Sequence, residues 1–135
     1  MPVIDTSVIM AVMLGEPESR AAVAALSSGP VEIPDLLPLE VANALVTAVR
    51  RHRILAAEAG PRLAMVNEMA ATWHPSRPLI PRALAISLSY QRRPYDALFV
   101  ALAEVLDTHL LTLDRKLVQG LAGTPLAGRV RELGA

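Results

Sequence analysis

Short apolar runs alternate along this chain with longer stretches of helical period. Residues 2–5 (Pro-Val-Ile-Asp) form a brief apolar run closed by Asp5. The helical stretch that follows is broken at Gly15-Glu16-Pro17, and a second extends from Glu18 to about Ser27. Ser28-Gly29-Pro30 then interrupts the chain before the strand candidate Val31-Glu32-Ile33. Asp35 is placed to cap a helix over 36–52, with Pro38 in the first turn, where its missing N–H does no harm. A further helix is expected over 57–72, its start delayed or kinked by Gly60-Pro61, and then a short strand over Trp73–Ser76. Helices over 80–92 and 95–107 follow, parted by Arg93-Pro94. His109-Leu110-Leu111-Thr112-Leu113 reads as a strand ending at Asp114, and a short helix over 115–122 comes next. The Gly-rich tail after Leu121 carries no readable pattern, and no role is assigned to it.

Strands alternating with helices predict an α/β fold with a mostly parallel sheet covered on both faces. Ligands of such sheets gather beyond the carboxyl ends of the strands. Asp5 and Asp114 both end strand candidates, which puts them on the functional edge.

Composition narrows the picture. At 135 residues the chain is expected to form one domain over 1–135. Hydrophobic residues make up 53% and mean hydropathy is +0.39, yet no apolar run approaches the roughly 20 residues that span a bilayer. The N-terminal stretch 3–14 has an acid at position 5 and no basic leader, unlike a signal peptide. Apolar surface in such excess predicts a subunit contact: a homodimer, a tight protein partner, or both. The absence of cysteine excludes disulfides and thiolate metal sites and makes the cytoplasm the default location. Net charge is zero, so no long-range field draws nucleic acid to the whole chain. Twelve of the thirteen basic residues are arginine, which suits bidentate phosphate contacts, although genome composition explains that bias equally well.

The acids are the informative residues. Glu16, Glu18, Glu58, Glu68 and Glu132 lie in polar surroundings and read as solvated. Asp5, Glu40, Asp96 and Asp114 are embedded in apolar sequence, where an unpaired charge is costly. Asp5, followed by Thr6 and Ser7, suits either an N-cap or a ligand role. Glu40, Asn43 and Thr47 share one face of their helix, as a lined cleft or a solvent-facing stripe. Asp96 lies in a first turn, whose positive end favours an ionised carboxylate. Asp107 is eleven residues further on, about 16 Å along the helix, too far to share an ion with Asp96. Thr112 and Asp114 point the same way if strand pairing continues to its end.

Two carboxylates about 4 Å apart repel by about 4 kcal/mol at an effective dielectric near 20, so four gathered together call for a cation. All-oxygen ligation favours magnesium or manganese over zinc. His52, His74 and His109 show no ligand spacing. An ion so held activates water for in-line attack on a phosphodiester. Asp5 and Asp96 would be its principal ligands, with Asp114 completing the site or orienting a water. Glu40 would serve a second ion or deprotonate the attacking water.

At these residues the chain resembles the PIN-domain family, specifically the VapC toxins of bacterial toxin–antitoxin pairs. The matching segments are Val3-Ile4-Asp5-Thr6-Ser7-Val8, Glu40-Val41-Ala42-Asn43-Ala44-Leu45, Tyr95 to Glu104, and Leu111-Thr112-Leu113-Asp114-Arg115-Lys116-Leu117. Together, in this order and spacing, they span nearly the whole chain. The resemblance implies a three-layer sandwich with a central parallel sheet of four or five strands, ordered 3-2-1-4-5 and flanked by helices. It implies a magnesium-dependent endoribonuclease, with manganese as a substitute, that acts on RNA, forms a homodimer and is inhibited by a cognate VapB-type antitoxin. That partner would lie along an apolar groove and block the acidic site. The family's acidic positions fall on Asp5, Glu40, Asp96 and Asp114, with Thr112 as the nearby hydroxyl and Thr6, Ser7 and Asn43 in support. Arg92, Arg93, Arg115 and Lys116 flank the acids and are candidates for RNA phosphates, for the antitoxin or for plain solvation. Arg50, Arg51 and Arg53 end a helix, where cations suit the dipole.

Two other functions fit less well. A phosphotransferase using Asp5 as nucleophile wants a second Asp two positions on and a separated lysine. Position 7 is Ser, and the only lysine, Lys116, lies two residues from Asp114. A catalytically silent PIN-like binding module would have no need of the intact acid set.

Overall fold

In the computed structural model, which describes residues 1–134, five strands form one sheet in the order β3-β2-β1-β4-β5. They are β1 (Val3–Ile4), β2 (Val31–Pro34), β3 (Ala71–His74), β4 (Leu110–Thr112) and β5 (Val130–Glu132), and every pairing is parallel. Among the described residues the connecting helices are α1 (Thr6–Met13), α2 (Ser19–Ser27), α3 (Leu37–Arg50), α4 (Ala56–Ala64), α5 (Ile80–Tyr90), α6 (Pro94–Val105) and α7 (Arg115–Leu121).

Successive strand residues point to opposite faces of a sheet. Val3 and Ile4 are both wholly buried, so β1 is covered on its two sides and the apolar run without alternation is explained. Ala97 to Ala103 of α6 are buried without a break, and this helix packs on β1, β2, β4 and α5. Helix α1 packs against α2, α3 and β4. The sheet therefore has its interior strand, β1, in the middle of the core, with α/β layering and the strand order that the resemblance implied. No helix among the described residues is long and apolar enough to cross a membrane.

Several local expectations need correction. The helix expected over 57–72 starts at Ala56 and ends at Ala64; a 3-10 turn over Met65–Glu68 follows, and Ala71 and Thr72 belong to β3. Strand β3 lies at the sheet edge, with Thr72 and Trp73 exposed, so it lacks the buried alternation that marks a strand. The strand placed at Trp73–Ser76 accordingly sits two residues too late. Asp35 does not cap α3. Its Oδ1 accepts from the Ser76 backbone N–H at 3.0 Å, and the Ser76 hydroxyl accepts from Leu36 N–H at 3.1 Å, so the pair stitches the end of β2 to the loop after β3. Beyond Leu121 the chain forms a 3-10 turn over Ala127–Arg129 and then β5 beside β4, with Leu126 and Val130 buried. A strand of three residues with one buried side chain is too short to announce itself.

Candidate active site

The strand order reverses direction at the centre of the sheet, where β1 is flanked by β2 and β4, and a crevice opens beyond the carboxyl ends of β1 and β4. Asp5 follows β1 directly and caps α1, its Oδ1 accepting from Ser7 N–H at 3.1 Å. The same oxygen accepts from the Ser7 hydroxyl at 2.5 Å, and Oδ2 accepts from the Thr112 hydroxyl at 2.5 Å. Asp5 therefore caps a helix while its carboxylate lines the crevice. The hydroxyls are fixed in turn, Ser7 Oγ accepting from Leu113 N–H and Thr112 Oγ1 from Asp114 N–H, each at 3.0 Å. Ser7 and Thr112 thus tie the ends of β1 and β4 together around one carboxylate.

The other three acids arrive on helices. Asp114 caps α7 through Leu117 N–H at 3.1 Å. Glu40, in the first turn of α3, accepts from the Thr6 hydroxyl at 2.9 Å. Asp96, in the first turn of α6, is gripped by Arg93, whose Nε and Nη2 donate to its two oxygens at 3.2 and 3.1 Å. Asp5, Glu40, Asp96 and Asp114 all line one small cavity of about 60 Å³, together with Thr6, Ser7, Arg93 and Phe99. Burial pushes Asp5 up to about 6, against the lowering effect of its Ser7 and Thr112 hydrogen bonds and with a small further push from Asp96. A carboxylate in that position holds its charge at an energetic cost that a cation would remove.

Among the described residues, no three aspartate, glutamate or histidine side chains form a group that could hold a metal ion as they stand. Both oxygens of Asp5 and both of Asp96 accept hydrogen bonds, as does one oxygen each of Glu40 and Asp114. The donor set nonetheless suits magnesium, which keeps several waters and takes only one or two carboxylates directly rather than an all-protein cage.

Not every expected residue reaches the cavity. Asn43 is exposed and absent from its lining, while Thr47 donates back to the Asn43 carbonyl at 3.2 Å, so only Glu40 of that stripe enters the site. Arg92 is committed to structure, donating to the Tyr90 and Lys116 carbonyls at 3.1 and 3.2 Å. Arg115 is paired with Glu132 at 2.8 Å, so Glu132 is not the solvated acid it resembled; Lys116 is exposed. Asp107 pairs with Arg129 at 2.9 Å outside the site. Glu16 and Glu58 likewise have arginine partners, Arg53 and Arg62. The Arg93–Asp96 grip was not anticipated, although its i,i+3 spacing was there to be read.

The family profile described as "PIN domain" matches residues 3–120. The chain belongs to the PIN-domain family. This PIN domain is 36% identical over 120 residues to "Ribonuclease VapC3" of Pyrobaculum aerophilum, covering 87% of the chain and 92% of that protein. It is 32% identical over 117 residues to "Ribonuclease VapC9" of Mycobacterium tuberculosis, with 87% and 88% coverage. Its fold is similar to that of a chain in a "Toxin-antitoxin complex from Klebsiella pneumoniae", with a TM-score of 0.63, 23% identity, and 97% and 96% coverage.

Proposed function

We propose that this PIN domain is a magnesium- or manganese-dependent endoribonuclease of the VapC type, the toxin of a toxin–antitoxin pair. The observation that carries the reading is the convergence of Asp5, Glu40, Asp96 and Asp114, from four separate elements, on one cavity around a buried carboxylate that lacks a cation of its own. The names of the VapC relatives, both ribonucleases, support the same reading.

Asp5, Asp96 and Asp114 are assigned as holders of the ion, with Glu40 beside them. Carboxylate-held magnesium lowers the pKa of water and neutralises charge developing on a phosphodiester. Within that frame Ser7 and Thr112 keep both oxygens of Asp5 oriented, and Thr6 fixes Glu40 by Oε2. Glu40 is the group placed to accept the proton of the attacking water, whose oxygen forms the new bond to phosphorus as the leaving ribose oxygen departs. Phe99, wholly buried behind the acids, helps exclude bulk water from one side.

Partners follow the same reading. Ile80, Leu84 and Leu88 repeat every four residues along α5 and are 50–75% exposed, an apolar stripe of the kind that protein contacts cover. We assign it to the subunit or partner contact expected from composition, either a homodimer or the antitoxin that the resemblance implies, and the cytoplasm as the location. The toxin–antitoxin complex among the fold's relatives accords with an antitoxin partner.

Purified protein incubated with RNA and magnesium is expected to cleave it, to stop on chelation, and to lose at least about 100-fold in rate as Asp96→Asn. Equal degradation by wild type and variant would remove the nuclease assignment and leave a binding module.

A further inference from the structure

Among the described residues, Arg93 is the one basic residue that lines the acid cavity. It stands in extended backbone just before α6, at φ −67° and ψ 145°, and its fork covers both oxygens of Asp96. Arg92 and Arg115, which flank the acids in sequence, are tied to backbone carbonyls and to Glu132. The hydrogen bonds to Asp96 and its charge hold the Arg93 guanidinium above its ordinary pKa, with further contributions from Glu40 and Asp114, so the group faces three of the four acids. It cannot leave by losing its proton; it can only move.

Movement is open to it. The Arg93 side chain is 70% exposed while that of Asp96 is 18% exposed, so the guanidinium reaches in from solvent and can swing out without disturbing the core. Ion pairs of such exposure are weak and exchange readily. A divalent cation that takes Asp96 directly meets this fork on the same two oxygens, and although each oxygen keeps a second lone pair, the two positive groups repel and compete for the one carboxylate.

We propose that Arg93 is a displaceable internal counter-ion, which occupies Asp96 until a divalent cation replaces it and thereby sets the affinity of the site for metal. This rests on the metal-dependent reading above. Arg93 holds the acids together before the ion arrives, and once displaced it stands free at the mouth of the cavity, available to a phosphate of the substrate.

Manganese binding, measured by isothermal titration calorimetry on the full chain without RNA, tests this directly. Arg93→Gln is expected to bind Mn2+ roughly 3- to 10-fold more tightly than wild type, since a competing charge is gone. Arg93→Lys, which keeps the charge and loses the fork, should fall between the two. Arg82→Gln removes an equal charge from the distant pair with Glu104 and is expected to stay within about 2-fold of wild type. In an Asp96→Asn background the gain from Arg93→Gln should vanish, which a general loosening of the fold would not produce. Equal or weaker binding by Arg93→Gln, or a gain that persists without the Asp96 carboxylate, overturns the role of Arg93 and leaves the nuclease reading standing. Absence of Mn2+ binding in every folded variant overturns both.

Discussion

Two acids lie buried in neighbouring strands of this sheet, or at their ends, and they could hardly be treated more differently. Glu32, in the middle of β2, is 8% exposed and has a ring able to carry positive charge beside it: His74 Nε2 is 2.5 Å from its Oε2. Asp5, at the end of β1, is 7% exposed and is surrounded by hydroxyls, amides and other acids. Its carboxyl is pushed up to about 6, mainly by burial. A buried acid that serves structure comes with its partner built into the chain. Asp5, which the proposed function assigns to chemistry, has no such partner among the described residues and keeps a deficit that a bound cation would fill. Both residues sit in apolar strand sequence, so patterning alone does not separate them.

The contrast breaks most easily at Asp5. Replacing it as Asp5→Asn is expected to lower RNA cleavage by about 1,000-fold or more while raising the stability of the metal-free protein at pH 7 by about 1–3 kcal/mol, because a costly buried charge is gone. Urea unfolding in chelator beside a cleavage assay checks both halves; a destabilised variant would mean that Asp5 is held for structure as Glu32 is.

Acidity sharpens the same contrast. The folded chain keeps the Asp5 proton up to about pH 6, whereas the unfolded chain releases it near 3.8. Between those values the native state binds more protons, so the contribution of Asp5 favours folding on the acid side and is lost as pH rises through the window. The stability of Asp5→Asn relative to wild type should therefore grow from near zero at pH 4 toward about 3 kcal/mol at pH 7, since each pH unit crossed inside the window is worth about 1.4 kcal/mol. A difference that stays flat across that range would dismiss the burial argument.

Glu32 supplies the smallest effect. Glu32→Gln is expected to cost roughly 1–2 kcal/mol through the weakened bond to His74, with RNA cleavage within about twofold of wild type. Loss of cleavage at unchanged stability would move Glu32 into the active site.

Much of this architecture was visible in the order of residues, for definite reasons. Asp5, Glu40, Asp96 and Asp114 stood out because charges amid Val, Leu and Ala demand an explanation, and the core strands because Val3-Ile4 and Leu110-Leu111 are apolar without alternation. The sheet order came from family resemblance, since pairing between strands as distant as β1 and β4 leaves no periodic trace. Edge elements escaped: Ala71-Thr72 reads as helix until its place beside β2 is known, and β5 is three residues long. Side-chain partners far apart in the chain escaped too. Nothing near Arg115 announces Glu132, and nothing near Asp35 announces Ser76.

Gly120 shows how far the site's foundations extend. A Cβ placed on it would stand 2.8 Å from the guanidinium carbon of Arg92, the side chain that joins the α5–α6 turn to the Lys116 carbonyl in α7. The turn before α6, which carries Asp96, and α7, which Asp114 caps, are thus joined by a side chain that lies over Gly120. A methyl group added there would meet the flexible end of Arg92, whose guanidinium would have to shift, so the fastening between the α5–α6 turn and α7 depends on a position that carries no side chain.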